Sequence, residues 1–382
     1  MGKKAFPVAV MVLAVLVSIL ARTRFVDTIS AQSAEVITIK PDGGINPSTA
    51  PIAKTGNVYK MTGNISASVT VQKSNIIFDG DGYTIQSPGW SWALKLSPPT
   101  PIEPGLTNIT VRNVNVIEDP NASAWAWAIM LDSTTNSVIA NSTVSNIRDS
   151  LGIWIQDFST GNTIIGNNLT NVYRSAIAVW SRGNIVIGNR ITSSGTAIDI
   201  SSTYDNIIFG NSIENNHVGI HCWAGNPLPP GVKNFIYYNN FINNNLTFLN
   251  EAIFISGTGV LLYPAIVNIW DNSTKGNYWS DYNGTDTNGD GIGDTPYFID
   301  DHYNIEGAND TDHYPLMNPV NITSVTTYTP SSLPVIPELT PIAAVAGLVV
   351  VTCMLVVASK RKTFHRVEMT VTSRIERGRI KC

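Results

Sequence analysis

The densest set of metal-type side chains in this 382-residue sequence lies between Asp286 and Asp294. Asp286, Asn288, Asp290 and Asp294 stand at positions 1, 3, 5 and 9 of an Asp-x-Asn-x-Asp-Gly pattern. Gly291 falls at position 6, where calcium loops turn sharply, and Ile292 can offer its carbonyl at position 7. Three carboxylates and an amide are a hard oxygen set, suited to Ca2+ rather than to copper or zinc. The pattern departs from an EF-hand at position 12, where Tyr297 stands in place of the bidentate Glu and Asp300 or Asp301 would have to serve. No helical periodicity flanks the segment, so the expectation is a structural calcium loop outside the EF-hand class. The plain alternative is a Gly/Asp surface turn. Residues 281–312 carry nine acids and no Lys or Arg, so bound cations should favour their folding.

Two further sets of residues invite chemistry. Asp199 and His221 make a carboxylate–imidazole pair if the phrases around them lie side by side. Such a pair suits acid–base work or metal binding, or is simply an exposed pair of no consequence. Trp154, Trp180 and Trp223 offer flat faces on which a sugar ring buries its C–H surface while its hydroxyls stay wet. The plain reading is that tryptophans cover loops or the ends of a stack. Copper needs Met, His or Cys in clusters. His217 and His221 adjoin Cys222, but strand alternation turns Cys222 inward as a small core residue. A glycosidase needs two carboxyls across a groove, and Asp132, Asp157 and Asp199 do not align as one convergent pair. Arg148, Arg174, Arg182 and Arg190 follow no recognisable lyase motif, and no nucleophile elbow, phosphate loop or zincin motif appears. A binding module is favoured over an enzyme.

What must position these residues is a repeat. One phrase recurs as Asn75-Ile-Ile-Phe, Asn108-Ile-Thr-Val, Asn162-Thr-Ile-Ile-Gly-Asn, Asn184-Ile-Val-Ile-Gly-Asn, Asn206-Ile-Ile-Phe-Gly-Asn and Asn234-Phe-Ile-Tyr-Tyr-Asn, with a weaker copy at Asn136. A second precedes most copies: Ala93-Leu-Lys-Leu, Ala128-Ile-Met-Leu, Gly152-Ile-Trp-Ile, Ala176-Ile-Ala-Val, Ala197-Ile-Asp-Ile, Gly219-Ile-His-Cys and Ala252-Ile-Phe-Ile. Each phrase alternates over four or five residues, which is strand periodicity, and the gaps hold Gly, Asn, Ser and Thr rather than helical patterns. Short strands at a near-constant period predict a solenoid whose coils bury their apolar sides only by stacking. Asn75, Asn108, Asn136, Asn162, Asn184, Asn206 and Asn234 should stack at one corner. Asn113, Asn141, Asn167, Asn189, Asn211 and Asn239 should stack at another, hydrogen-bonding from coil to coil. An outward column follows: Lys95, Met130, Trp154, Ala178, Asp199, His221, Phe254.

These repeats resemble the right-handed parallel β-helices of the NosD-like family and its carbohydrate-associated surface relatives, over roughly Asn75 to Met317. The sharper resemblance is Gly276-Asn-Tyr-Trp-Ser-Asp-Tyr, then the Asp286 loop, then Asp312-His-Tyr-Pro-Leu-Met. That ordered set closes many NosD-like β-helices, often on cell-surface proteins of archaea. Founding members of the family serve maturation of the copper centre of nitrous oxide reductase. The resemblance therefore implies an all-β, right-handed parallel β-helix of about seven or eight coils. It also brings in copper, as the cofactor of an accessory protein.

Both ends address a membrane. Lys3 and Lys4 precede the apolar run Ala5–Leu20, the pattern of a secretory signal, although Arg22 and Arg24 keep an uncleaved anchor open. Thr340–Ser359 carries no charge and is long enough to cross a ~30 Å hydrocarbon core as one C-terminal transmembrane helix. Lys360, Arg361 and Lys362 follow, placing the tail in the cytoplasm and the body outside the cell. With the charged termini removed, residues 25–359 hold twelve basic and 26 acidic side chains, which excludes a nucleic-acid partner. Ten Asn-x-Ser/Thr sequons, among them Asn108 and Asn141, make a glycoprotein plausible for an external body.

The expected organisation is a signal segment (1–34), a lead-in and cap (35–74), β-helix repeats (75–274) and an acidic calcium-loop cap (275–317). A Pro/Ser/Thr stalk (318–341), a transmembrane helix (342–359) and a basic cytoplasmic tail (360–382) complete it. The expected function is a membrane-anchored, cell-surface carbohydrate-binding or adhesion module with structural calcium. Its partner would be an extracellular polysaccharide or cell-surface glycan. A polysaccharide-degrading lyase or glycosidase and a copper-binding accessory protein are the alternatives.

Overall fold

The computed structural model describes residues 36–327, apart from 89–90, 101–104, 122–125, 224–231, 252, 257–258, 263–267 and 300–309. The signal segment, most of the stalk, the transmembrane segment and the basic tail lie outside the described residues. No helix among the described residues is long and apolar enough to cross a membrane.

Short strands stack into three sheets of ten, nine and eight strands, which wind through about seven turns. Sheet 1 takes Ile37–Ile39, Val69–Val71, Ser91–Leu96, Ala126–Leu131, Ile153–Ile155, Ser175–Val179, Thr196–Asp199, Val218–Trp223 and Leu246–Glu251 in chain order, all parallel. Sheet 2 continues each turn through strands such as Val138–Ala140, Thr163–Ile165 and Ile185–Ile187. Sheet 3 completes it through Thr143–Ile147, Asn168–Val172 and Arg190–Thr192. This is the parallel β-solenoid that the repeat predicts. Stacking already begins at Ile37–Ile39, ahead of Asn75.

The sequence dictates this winding because no coil can bury its apolar residues alone. Ile129, Ile153, Ile177, Ile198 and Ile220 are in register up sheet 1, and each is fully buried. Ile139, Ile164, Val186, Ile208 and Ile236 do the same in sheet 2. A buried Ile contributes roughly 1.5–3 kcal/mol, and a one-residue slip would turn a whole strand's apolar set to solvent. The register is therefore set by the core.

The corners are set by asparagine. The backbone N–H of Asn162 donates to Asn184 Oδ1, Asn184 N–H to Asn206 Oδ1, and Asn206 N–H to Asn234 Oδ1, at 2.9, 2.9 and 3.2 Å. A second ladder runs Ser142, Asn167, Asn189, Asn211, Asn239, Asn277 with the same bond at 2.9–3.0 Å. A third, which the repeat phrases do not reveal, links Ser194, Asn216 and Asn244.

Five of the expected ladder residues stand outside the buried ladder, although Asn108 Nδ2 still donates to Asn75 Oδ1 at 3.0 Å. Asn75, Asn108, Asn136, Asn113 and Asn141 lie one position ahead of the ladder, with φ between 48° and 60°. They occupy the left-handed slot that later coils fill with Gly161, Gly166, Gly188 and Gly210. The buried rungs beside them are Ser137 and Ser142, whose hydroxyls accept the N–H of Ile109 and Val114. Asn108 and Asn141 are accordingly exposed, so both sequons sit on the surface.

The last expected copy is also displaced. Leu246–Glu251 continues sheet 1 beside Val218–Trp223, while Ile253–Ser256 turns away into an antiparallel pair with Gly259–Leu262. Leaving the Asn244 corner, the chain enters sheet 1 at once, so Leu249 and not Phe254 aligns with His221. Beyond the cap, Ile322–Thr327 forms a short 3-10 helix with Val325 buried against Gly210.

Removing one rung should expose the weight of a ladder. Asn211→Ala strands the Asn189 N–H and the Val186 carbonyl and should cost roughly 2–4 kcal/mol in denaturant unfolding. Asn136→Gly, in the exposed left-handed slot, should stay within about 0.5 kcal/mol. Equal losses would contradict the assignment.

Candidate functional site

Variation in coil length points to one face. Two residues separate sheet 2 from sheet 3 at Ala140–Thr143, Ile165–Asn168, Ile187–Arg190, Phe209–Ser212 and Tyr237–Asn240. The longer excursions all border sheet 1: Leu96 to Leu106, Glu118 to Ala126, and Trp223 to Phe235. In solenoids such insertions collect on the binding face.

Up the outer face of sheet 1, Thr70, Lys95, Met130, Trp154, Ala178, Asp199, His221 and Leu249 stand in register. The column is not open to solvent. Met130, Trp154 and Ala178 are at most 9% exposed, because Leu151, Trp127 and Trp180 fold over them. Trp154 packs edge-on to Trp180 at 4.9 Å between centroids and lies 6.0 Å from Trp127. Among the described residues, the indole N–H groups of Trp154 and Trp180 are buried without an acceptor. Trp270, in the closed end of the core, shares that lack. Trp223 is half-buried on the rung of Cys222 and His221, about two strand spacings from Trp180.

Asp199 and His221 do stand on adjacent rungs, with Asp199 Oδ1 3.7 Å from His221 Nδ1. Ser201 Oγ donates a hydrogen bond to the same carboxylate oxygen. A carboxylate between hydroxyl and imidazole can pass a proton or orient a polar ligand. At the N-terminal end the face opens into a cleft beside Lys95 and Asp132.

The loop at Asp286 closes on itself. Asp286 accepts the N–H groups of Gly289, Asp290 and Gly291, Asn288 accepts that of Asp290, and Asp290 accepts that of Ile292. Asp294 accepts the N–H and hydroxyl of Thr287 and the hydroxyl of Thr285, which hold its carboxyl below the usual range. Among the described residues, no three His, Cys, Asp or Glu side chains converge on a metal-sized position. Asp300 and Asp301 lie outside the described residues.

Among the described residues, His and Cys do not gather as copper ligands either. Cys222 is fully buried, takes a 3.5 Å contact from Asn268 Nδ2, and has its thiol pushed well up by burial. His313 pairs with Asp271 at 2.9 Å, far along the chain from His217 and His221.

The Asp312-His-Tyr-Pro-Leu-Met phrase places its leading carboxylate at the closed end of the core. Asp312 is buried and accepts the N–H of Asn277 at 2.6 Å, the indole N–H of Trp279 at 2.8 Å and the N–H of Tyr314 at 3.0 Å. Gly276 is obligatory beside it, since a Cβ there would fall 1.7 Å from the carboxylate. Asp310 receives the N–H of Asn268 at the end of the first ladder. The acidic cap thus begins as a ladder terminus.

Three sheets of stacked short strands, asparagine corners and a tryptophan-covered outer face define a parallel β-helix protein. A family model described as periplasmic copper-binding protein (NosD) matches residues 103–284, and the stacked coils fit a NosD-like parallel β-helix. No curated protein matches the chain.

Burial lifts the Asp312 carboxyl to about 6, against an ordinary 3.8, and the three N–H donors only partly offset it. A raised carboxyl contributes stability that is complete below the unfolded value and lost as pH rises through the folded one. Stability to denaturant should therefore fall between about pH 4 and pH 7. That fall should be shallower in Asp312→Asn, whose side chain does not titrate.

Proposed function

We propose that this protein is a membrane-anchored, extracytoplasmic NosD-like β-helix that binds polysaccharide or cell-surface glycan on the outer face of sheet 1. The observation that carries the reading is the aromatic cluster of Trp127, Trp154 and Trp180 on a face outside the core. Trp127 and Trp180 are only partly buried, and exposed indole faces suit sugar C–H surface. Trp223 extends the aromatic face toward Asp199 and His221. The periplasmic description of the matching family and the uncharged 342–359 segment support an external, tethered body.

Binding is favoured over hydrolysis by spacing. Asp132 and Asp199 belong to rungs three strand spacings apart, about 14 Å, against the ~5–9.5 Å of paired glycosidase carboxyls. A copper-accessory role has the family description in its favour, but the described His and Cys residues do not gather into a ligand set. The full-length protein in detergent should be retarded in gels containing its polysaccharide and should release no new reducing or unsaturated ends. New ends would instead make it an enzyme, with Asp199 and His221 the first residues to replace. Absence of retention, together with tight copper binding, would reverse the order of the readings.

Calcium at Asp286, Asn288, Asp290, Ile292 and Asp294 belongs to the same proposal, supported by the ligand spacing and by the loop's ties to the cap. Gly293 N–H donates to Pro315 O, and Met317 N–H to Gly291 O. At a hundredfold excess over Kd, a structural ion adds about 2.7 kcal/mol. Chelation should then lower the melting temperature by several degrees, reversibly on adding Ca2+, and Asp286→Ala should abolish the response. An unchanged melting temperature sinks the calcium assignment.

A further inference from the structure

The cleft at the N-terminal end of sheet 1 has a volume of about 430 Å3, within the ~300–1,000 Å3 of small-molecule sites. Thr70, Gln72, Trp92, Lys95, Ser97 and Asp132 line it. Lys95 Nζ lies 2.9 Å from Asp132 Oδ2, which also accepts Ser97 Oγ at 3.0 Å, and Ser133 Oγ donates to Oδ1 at 3.2 Å. Trp92 Nε1 donates to Thr70 Oγ1 at 3.2 Å, and the Lys95 ammonium sits 4.9 Å from the Trp92 ring centre. The side chains of Lys95 and Asp132 are only 17% and 24% exposed, so this is a fixed, half-desolvated pair rather than a mobile surface one.

We infer that this cleft is a sugar-binding pocket for the neutral, vicinal-diol end of a glycan, an assignment that rests on the glycan reading above. A carboxylate offers about four acceptor positions and an ammonium three donors. Among the described residues, these partners leave hydrogen-bonding capacity on both Asp132 and Lys95, side by side. Adjacent hydroxyls of a sugar, each both donor and acceptor, match that arrangement. The Trp92 ring supplies the apolar wall for the C–H face, while Thr70, Gln72 and Ser97 supply further polar edges.

Charge selects against the other sugar classes. Asp132 neutralises Lys95 at contact distance, so a uronate finds no free cation and meets a carboxylate. An amino sugar meets the ammonium. The pocket also opens onto the aromatic row: Trp92 is in register with Trp127, whose ring neighbours Trp154. The pocket takes the chain end, and the row continues the contact.

Affinity electrophoresis of the full-length protein in detergent tests this, with a mannan, a galactan and a β-glucan as neutral probes and polygalacturonate as the acidic one. Trp92→Ala and the isosteric Asp132→Asn should each weaken retention by the neutral polymer tenfold or more. Methyl glycosides of its terminal sugar should compete at millimolar concentration. Melting curves confirm that the variants are folded; should Trp92→Ala unfold, Asp132→Asn decides alone. Wild-type retention that survives both pocket variants but is lost in Trp180→Ala overturns the pocket and leaves glycan binding standing. Preference for polygalacturonate overturns the neutral assignment. No retention by any polymer removes the glycan reading and the pocket with it.

Discussion

Everything in this molecule depends on how a buried polar corner is satisfied. A coil that bends three times must carry backbone N–H groups through its corners, where no sheet bond can take them. The side-chain oxygen of an asparagine one coil further on accepts each one, as Asn206 does for Asn184 and Asn211 for Asn189. The same amide's nitrogen then donates to a backbone carbonyl, as Asn189 Nδ2 does to Ile164 O at 2.9 Å. The net gain per bond is only about 1 kcal/mol, but leaving the groups bare would cost more than that each. The ladders are therefore what allows the isoleucine stacks to close into a core.

Because the interior is held this way, the exterior of sheet 1 is free to depart from the polar norm. The excursions after Leu96 and Trp223 and before Ala126 leave the sheet 2 to sheet 3 corners unchanged. The indoles of Trp127, Trp154 and Trp180 bury one another rather than the hydrophobic core. Such an arrangement adds apolar area outside the core without being needed for winding, since neighbouring coils manage with Ala178 at the same place. A face that the fold does not require, flanked by insertions the fold tolerates, is where function is most economically placed.

How far this was legible in the sequence varies with the length scale of the cause. The repeat phrases expose the winding and the facing of Ile153, Cys222 and Trp154, since alternation is local. The adjacency of Asp199 and His221 follows from the same alignment. The ladder was misjudged by one residue at Asn75, Asn108, Asn136, Asn113 and Asn141 because two successive corner positions both suit asparagine. One needs a left-handed backbone and the other a buried amide; Gly161-Asn162 separates the roles, while Asn136-Ser137 reverses the cue. Burial of Trp154 was beyond alternation, since it comes from neighbours on other rungs and loops. The closing phrase that opens on Asp312 is legible by resemblance, but the burial of its carboxylate and its donors from Asn277 and Trp279 come from another coil.

Direction explains why the cap takes the form it does. In each ladder the N–H of one coil points to a side-chain oxygen of the next, so the stack always presents one more donor at its C-terminal end. At the N-terminal end the ladder stops without difficulty, because Ile109 and Val114 donate to serines and bring no side-chain acceptor of their own. At the other end another asparagine would bring an amide donor of its own. A carboxylate accepts the last N–H and adds no side-chain donor to the closed end. Asp310 does this for the first ladder and Asp312 for the second. Gly276 clears the space, Asn277 is the last amide, and Trp279 adds a donor to the carboxylate while stacking on Phe241 at 4.6 Å to close the core. The Gly-Asn-Tyr-Trp and Asp-His-Tyr-Pro phrases are thus two halves of one stopper. Their fixed order in the chain follows from the order in which a one-way ladder has to be brought to an end.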